Sequence, residues 1–255
     1  MTSLGGRSIV VTRPERQAAE LGSLIEHAGG RVLRFPVLEI EPVGGEALNN
    51  VISQLRSYDM AVFISRNAVE QGLSCVRQLG QWPAHLAVAA IGAGTRRALQ
   101  AEGFGQVIAP EGQADSEALL ERAELKSVGG KRIVVFRGIG GRELLAAVLR
   151  TRGALVDYAE CYRRVRPESD PQPLMDAYSS GALHAVTISS AEGLANLDSL
   201  LGERGRRVLR ETPLFVPHDR VAQAGRALGI GRVVVAGAAD EEMLAALVAY
   251  FAHSG

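Results

Sequence analysis

The sequence predicts an α/β protein whose parallel sheets are covered by helices on both faces. Three observations support this fold class: short apolar runs rich in Val and Ile, longer segments of helical spacing between them, and a repeat of this alternation along the chain. Continuous apolar strands separated by helices are typical of parallel sheets that are buried on both sides. Apolar residues make up 47% of the 255 residues, which is enough to bury a sizeable core.

Ten apolar runs are strand candidates, and the segments between them are helix candidates. The runs lie at 9–12, 31–38, 60–65, 86–91, 106–109, 132–137, 155–163, 185–189, 214–217 and 232–236. In the first intervening segment, Leu21, Leu24 and Ile25 have the spacing of one helix face. The alternation therefore predicts two parallel sheets of five strands each.

An internal repeat relates the two halves of the chain. Ile9 matches Ile133 and Ser65 matches Ser189, both 124 positions apart, and the flanking residues match as well (SIVVTRP with RIVVFRG, AVFIS with AVTIS). Several matches in one register indicate a duplication. We therefore expect two similar α/β domains with a ligand held in the cleft between them.

Two pairings of the strands into domains agree with this repeat. In the first, 1–120 and 125–255 are consecutive domains. In the second, which we favour, 1–36 and 168–255 form one discontinuous domain and 38–165 forms the other. The favoured pairing needs two strands that cross between domains, and the long extended stretches RVLRFPVLEIEP and LVDYAECYRRVRP suit that purpose.

Composition narrows the class of function. Lys plus Arg and Asp plus Glu are both 28, so the chain lacks the basic excess of a nucleic-acid-binding protein. Its two cysteines, Cys75 and Cys161, form no C-x-x-C motif and fit a reducing compartment. The first residues carry no secretory pattern, and no apolar run is long enough to span a membrane. We expect a cytoplasmic protein with no membrane or nucleic-acid partner, and a monomer.

Small polar residues follow six of the predicted strands, immediately before helices. In parallel sheets, ligands bind beyond the carboxyl ends of the strands, where helix N-termini favour carboxylates or phosphates. Such residues also act as simple helix caps, so each loop alone has a structural explanation. Recurrence at six strand ends favours ligand binding. The candidate binding residues are Thr12, Arg13, Ser65, Arg66, Asn67, Gly92, Gly94, Thr95, Arg137, Gly138, Ser189, Ser190, Ala191 and His218.

Motifs for nucleotides and metals are missing from the sequence. The glycine-rich stretch after Arg137 has Glu143 where G-x-G-x-x-G needs its third glycine, and no G-x-x-x-x-G-K-[ST] occurs. Of the five histidines only His218 follows a predicted strand, and no metal-ligand cluster is visible. Tyr158 and Tyr162 lie in the long strand near 155–163. A tyrosine there usually packs, but Tyr162 stands where the chain would cross between domains, so it is the better functional candidate.

Several segments together resemble the uroporphyrinogen-III synthase family, in the same order and over nearly the whole chain. They are VVTRP at 10–14, FISRNAV at 63–69, AIGAGTRRALQAEG at 90–103, YRRVRP at 162–167 and TISSAEGL at 187–194. The resemblance implies two flavodoxin-like domains with parallel five-stranded sheets, joined by a two-strand crossover. The first and last parts of the chain would share one domain, as in the pairing favoured above.

The resemblance also implies a reaction. Hydroxymethylbilane, a linear tetrapyrrole with many carboxylates, would lose its terminal hydroxyl as water and close to uroporphyrinogen III with inversion of the last pyrrole. This lyase reaction serves haem, sirohaem and cobalamin biosynthesis and needs no cofactor or metal. Tyr162 matches the family's tyrosine that assists loss of the hydroxyl. Where the family can carry Thr or Ser in the last strand-end loop, this chain has Pro217, His218 and Asp219. A transient contact with the enzyme that supplies hydroxymethylbilane is also expected.

Two other classes of protein remain as alternatives. A non-catalytic two-domain protein that binds a small ligand has the same arrangement of elements, but its periplasmic examples need an export signal. A nucleotide-sugar enzyme with paired α/β domains would need a phosphate loop or an acidic ribose ligand, and the sequence shows neither.

Overall fold

The computed structural model describes residues 3–111, 115–141 and 143–252. They form two compact units, Met1–Glu39 with Val165–Gly255, and Ile40–Arg164. The limits lie within three residues of the sequence-based domains 1–36 with 168–255, and 38–165. The assignment of these two sets of residues to separate domains stays a prediction. No helix in the described ranges is long and apolar enough to cross a membrane.

Strands and helices alternate along most of the described chain. The strands are β1 (Ser8–Val11), β2 (Arg31–Arg34), β3 (Glu39–Pro42), β4 (Met60–Phe63), β5 (Ala87–Ala90), β6 (Arg132–Gly138), β7 (Leu155–Val165), β8 (Ala185–Thr187), β9 (Leu214–Val216) and β10 (Val233–Val235). The helices are α1 (Glu15–His27), α2 (Glu46–Ser53), α3 (Arg66–Leu79), α4 (Ala93–Ala101), α5 (Ser116–Leu120), α6 (Ala123–Lys126), α7 (Leu144–Thr151), α8 (Gln172–Ser179), α9 (Ala191–Glu211), α10 (Asp219–Ala227) and α11 (Asp240–Ala252). Gly202, with φ 59°, interrupts α9.

Each unit is built on one five-stranded sheet. The first sheet has the order β10-β9-β8-β1-β2, and all its neighbouring strands run parallel. The second has the order β3-β7-β6-β4-β5, and β7, β6, β4 and β5 run parallel. These two sheets confirm the predicted α/β class.

Burial explains why the apolar runs form the sheet centres. Every residue of β1 and β4 is buried, and one buried apolar cluster lies on each face of each sheet. Successive side chains of a strand point to opposite faces of the sheet and pack in the cluster on each face. Successive positions of a central strand are therefore mostly apolar, which accounts for the unbroken apolar runs. Apolar burial of this kind contributes about 25 cal/mol per Å² and is the main stabilising term.

Two of the predicted strands are wrong in detail. The run 31–38 contains β2, which ends at Arg34, and the chain resumes as β3 at Glu39. Pro36 in between has no N–H to donate to a strand ladder. The run 106–109 forms a single bridge, Ala89 with Ile108, instead of a strand. It is bounded by Gly105 and Pro110, which both weaken strands.

The long run 155–163 is observed as β7, which extends through Val165 over 11 residues. The chain leaves the first unit within β3 and returns to it at the end of β7. These strands are neighbours in the second sheet, where the Val43 amide donates to the Cys161 carbonyl at 3.0 Å.

Candidate active site

The carboxyl edge of the second sheet holds most of the residues singled out in the sequence. β6, β4 and β5 are neighbours, so Gly138, Ser65 and Gly92, which end or follow these strands, lie along one edge. Tyr162 is on β7, the strand beside β6, and pairs with Gly138 in the ladder. The second unit therefore brings these four positions together.

Ser65 connects the edge of the sheet to α3. Its backbone is extended, and its Oγ accepts a hydrogen bond from the Ala68 amide at 3.0 Å, which makes it the N-cap of α3. This serine is placed by a local rule, because an N-cap hydroxyl satisfies an amide that the helix leaves without a partner. In the first unit the cap of α9 is Ser190, whose Oγ accepts from the Gly193 amide at 3.0 Å. The cap that corresponds to Ser65 is thus Ser190, one residue beyond its sequence match Ser189.

The phenol of Tyr162 lies 2.9 Å from the Ser65 Oγ, within hydrogen-bonding distance. The Tyr162 side chain is only 1% exposed, and its ring packs directly on Gly138. An added Cβ at Gly138 would lie 2.5 Å from the ring carbon Cε2. Gly138 is therefore needed for the close approach of the tyrosine, and a ligand reaches the phenol only if the surrounding loops move.

A cationic side chain lies beside the amino terminus of α4. The Arg66 guanidinium packs over Gly94, where a Cβ would lie 3.2 Å from Nε. Gly92 caps this helix with an extended backbone, and Thr95 in its first turn is buried. Arg66 is exposed, and Asn67 beside it is half-buried. Together with the first amides of α4, Arg66 can bind a carboxylate.

Arg137 is enclosed by the protein, with its side chain 2% exposed. Its guanidinium donates to the carbonyls of Gly138 and Gly141 and to the Glu143 carboxylate, the last at 2.8 Å. It also lies 4.4 Å from the centre of the Tyr158 ring. Because its donors are engaged within the chain, Arg137 holds the loop after β6 in place, and substrate binding by this side chain stays a prediction.

Glu143 and Tyr158 complete this network. The Tyr158 hydroxyl donates to Glu143. This bond, together with the bond from Arg137, lowers the pKa of the Glu143 carboxyl. Burial and the neighbouring carboxylate raise the pKa of the Tyr158 phenol. Neutral tyrosine and ionised glutamate therefore persist together at neutral pH.

A cavity of 330 Å³ adjoins the same edge of the second sheet. Its lining includes Ile64 and Ile91, which follow β4 and β5, together with Arg137, Tyr158 and Arg164. Arg164 is absent from the residues that the sequence pattern singled out, although it lies two residues beyond Tyr162 in β7. Because the Arg137 donors are engaged within the chain, Arg164 is the cation of this cavity that can meet an acidic substituent of an apolar ring.

In the first unit, the predicted residues also share a carboxyl edge, that of β9, β8 and β1. Ser189 is exposed, and His218 is exposed at the N-cap of α10 without a side-chain capping bond. Thr12 is instead buried, and its hydroxyl donates to the Thr187 carbonyl at 2.6 Å. Arg13 forms an ion pair with Asp240. Ala191 is the first residue of α9.

The fold and these edges define a class of protein: two α/β units, each with polar helix starts at the carboxyl ends of its parallel strands. Sites of this kind bind ligands through helix amides and a few side chains. Comparison with known proteins identifies the family within this class. The model of the HEM4 family, uroporphyrinogen-III synthase HemD, matches residues 19–246.

Curated relatives and solved structures agree with this match. Uroporphyrinogen-III synthase from Escherichia coli is 33% identical over 242 residues, which cover 93% of this chain and 98% of that protein. The enzyme from Salmonella typhimurium is 32% identical over the same length, 93% of this chain and 98% of that protein. The uroporphyrinogen-III synthetase structure from Helicobacter pylori has a TM-score of 0.61 at 14% identity, covering 98% of this chain and 99% of that one. A mutant uroporphyrinogen III synthase from Thermus thermophilus has a TM-score of 0.59 at 20% identity and covers 97% of this chain and 99% of that one.

This chain belongs to the uroporphyrinogen-III synthase family, and the family resemblance seen in the sequence is confirmed. The structural matches support the same mixed α/β fold.

Proposed function

We propose that the protein is a carbon–oxygen lyase that converts hydroxymethylbilane to uroporphyrinogen III, with loss of water and inversion of the last pyrrole ring. The observation that carries this proposal is the similarity to uroporphyrinogen-III synthases along almost the whole chain. The alternative, a non-catalytic binding protein of similar architecture, has no comparable support.

The geometry of the second unit suits a substrate with many carboxylates. Arg66 and the first amides of α4 provide a site for one carboxylate, and Arg164 provides a cation at the 330 Å³ cavity. Ser189 and His218 are exposed at the carboxyl edge of the first sheet and are the side chains of that unit best placed to contact substrate. Holding a flexible linear chain in one conformation is the main catalytic task, since orientation alone can supply large rate factors.

Tyr162 is the residue that we propose assists departure of the hydroxyl. Its phenol carries an O–H group, which can donate a proton or a hydrogen bond to the leaving oxygen. Ser65 holds the phenol in place, since its Oγ is itself oriented by the amide of Ala68. Substrate has to take over the hydrogen bond that now joins Tyr162 and Ser65.

The strand orders of the two sheets support a flavodoxin-like arrangement. In chain order, the first sheet has the arrangement 2-1-3-4-5, which is the order of flavodoxin-like sheets. In the second sheet, β3 and β7 are neighbours and the chain passes between the units within both, which supports a two-strand crossover. We propose on these grounds two flavodoxin-like domains joined by β3 and β7.

The activity is tested by incubating the protein with freshly prepared hydroxymethylbilane and separating the porphyrinogen isomers after oxidation. We expect the inverted isomer, uroporphyrin III, as the main product. Hydroxymethylbilane cyclises unaided to the uninverted isomer, which provides an internal reference. If only that isomer forms, at the rate seen without protein, the lyase proposal is wrong. The alternative, a non-catalytic protein that binds a small ligand, then becomes the better interpretation.

Ser65→Ala is expected to lower kcat about five- to tenfold, because it removes the hydrogen bond that orients Tyr162. It also removes a helix cap, which costs about 1 kcal/mol of stability. Ser65→Thr keeps the hydroxyl and should restore most of both losses.

For Ser189→Ala, whose side chain is exposed, we expect a higher KM with kcat unchanged. Steady-state kinetics and urea unfolding measure both effects. Unchanged kcat and KM in both alanine variants would show that neither side chain contributes to substrate binding or catalysis.

A further inference from the structure

A second pocket lies in the first unit, at the amino-terminal edge of its sheet. It has a volume of 650 Å³. Arg7, His184, Pro213 and Arg232 line it, and each stands directly before a strand: β1, β8, β9 and β10 respectively. Thr12, Ser189 and His218 stand at the opposite ends of three of these strands. The pocket is therefore separate from the residues assigned to hydroxymethylbilane.

Three arginines dominate the charge of this pocket. Their guanidinium groups donate to backbone carbonyls: Arg7 to Leu4 at 3.3 Å, Arg210 to Leu228 at 3.4 Å and Arg232 to Glu211 at 2.7 Å. Among the described residues, none of the three forms an ion pair with a carboxylate within 4 Å. A carbonyl orients a guanidinium without cancelling its charge, and each arginine keeps donors for a ligand.

The carboxylate in the lining is already compensated. Glu211 accepts from Arg207 at 2.7 Å and from the Tyr178 hydroxyl. The same two hydrogen bonds lower the pKa of Glu211, so it stays ionised and paired with Arg207. It therefore does not neutralise Arg7, Arg210 or Arg232.

The spacing of the arginines indicates the kind of ligand. Arg7 and Arg232 precede β1 and β10, which are three strand spacings apart in the sheet, or about 14 Å. Arginines that start from such separate positions suit an anion with more than one acidic group. Tyr178, Tyr250 and Phe251 also line the pocket, and the Arg7 guanidinium lies 4.8 Å from the centre of the Phe251 ring. Stacking on this ring restricts the guanidinium before any ligand binds.

We propose that this pocket binds a small organic polyanion that carries at least two carboxylate or phosphate groups. The polyanion spans the pocket, with Arg7 and Arg232 at its two sides and Arg210 contributing a third cation from the end of α9. Planar guanidinium groups match the geometry of carboxylate and phosphate oxygens. This ligand site goes beyond the proposed lyase function and does not depend on it.

Isothermal titration calorimetry with citrate, pyrophosphate and acetate, at constant ionic strength, tests the proposal. We expect citrate or pyrophosphate to bind measurably and acetate at least about tenfold more weakly. Tighter binding of citrate identifies a polycarboxylate ligand, and tighter binding of pyrophosphate identifies a phosphorylated one.

Arg210→Gln and Arg232→Gln are the pocket variants, since both side chains are exposed and urea unfolding can check that each variant folds. Each substitution should lower the affinity for the tighter-binding of the two polyanions at least about tenfold. Arg226→Gln removes the same charge from an exposed position on α10 outside the pocket, and should change affinity less than about twofold. Uroporphyrinogen III formation should be unchanged in all three variants, which separates this site from the lyase.

Three outcomes would overturn the proposal: no binding of either polyanion, affinity in the pocket variants equal to that of the unmodified protein, or an equal loss in Arg226→Gln. The last result would show that overall charge, and not this pocket, attracts the anion.

Discussion

Gly138→Ala is expected to lower kcat about 10²-fold, the loss typical of a reacting group displaced by about 1 Å. The new Cβ would lie 2.5 Å from Cε2 of Tyr162 and 2.7 Å from Cζ, closer than non-bonded carbon atoms approach. The backbone cannot retreat, because Gly138 pairs with Tyr162 in the ladder between β6 and β7. The ring must therefore move, and the phenol loses its position beside Ser65.

The same substitution should reduce the free energy of unfolding by about 1–3 kcal/mol, as overpacking of a buried site does. Gly44→Ala is the matched control, since an added Cβ there meets no atom within 4 Å. Initial rates with hydroxymethylbilane and urea unfolding curves measure the two effects. Normal kcat and normal stability in Gly138→Ala would show that the Tyr162 ring has room to adjust and that its exact position is unimportant.

The parallel sheets were predictable because burial on both faces leaves a direct mark on the sequence. Residues 9–11 of β1 and all of β4 are unbroken apolar runs for that reason. The two errors arose where an apolar run contains or adjoins a residue that cannot join a ladder. Pro36 divides 31–38, and Pro110 closes 106–109 after a single bridge. Hydrophobicity alone cannot show whether a run has a partner strand along its length.

The polar loops at the strand ends could be predicted because helix caps follow local rules. Ser65 and Ser190 are caps in the structure. The interactions of Arg137 could not be predicted, because its ion pair with Glu143 and its contact with the Tyr158 ring depend on the tertiary fold. The repeat aligns Ser65 with Ser189, but the serine that caps the corresponding helix is Ser190, one residue further along. This shift between the two loops could not be predicted from the repeat.

The pocket lined by Arg7, Arg210 and Arg232 lies at the amino-terminal ends of the strands, whereas the predicted binding residues lie at or beyond the carboxyl ends. A signal for it was present in the sequence: Arg7 stands two residues before the apolar run at 9–12, and Arg232 is the first residue of the run at 232–236. In a parallel sheet, residues at the starts of strands share an edge as surely as those at the ends. Charged residues in that position are as informative as polar residues after a strand.

Tyr162→Phe is expected to lower the rate of uroporphyrinogen III formation by up to about 10²-fold, the low end of the range for general-acid catalysis. The low end is expected because the leaving hydroxyl departs readily: the pyrrole nitrogen pushes it out, and the substrate cyclises without any enzyme. The proposed assistance by the phenol would therefore act on a step that is already favourable. The fold of the variant should be retained, because Phe fills the same buried space beside Gly138 and Ser65 still caps α3.

The isomer ratio distinguishes the roles that Tyr162 can play. A lower rate with the inverted product retained supports proton or hydrogen-bond donation to the leaving oxygen. An unchanged rate removes Tyr162 from the mechanism and leaves its 2.9 Å contact with Ser65 as a structural hydrogen bond. A stable variant that yields mainly the uninverted isomer shows that the phenol shapes the bound substrate. Because the tyrosine is almost fully buried, any of the catalytic outcomes also requires that substrate binding opens the loop at Ser65.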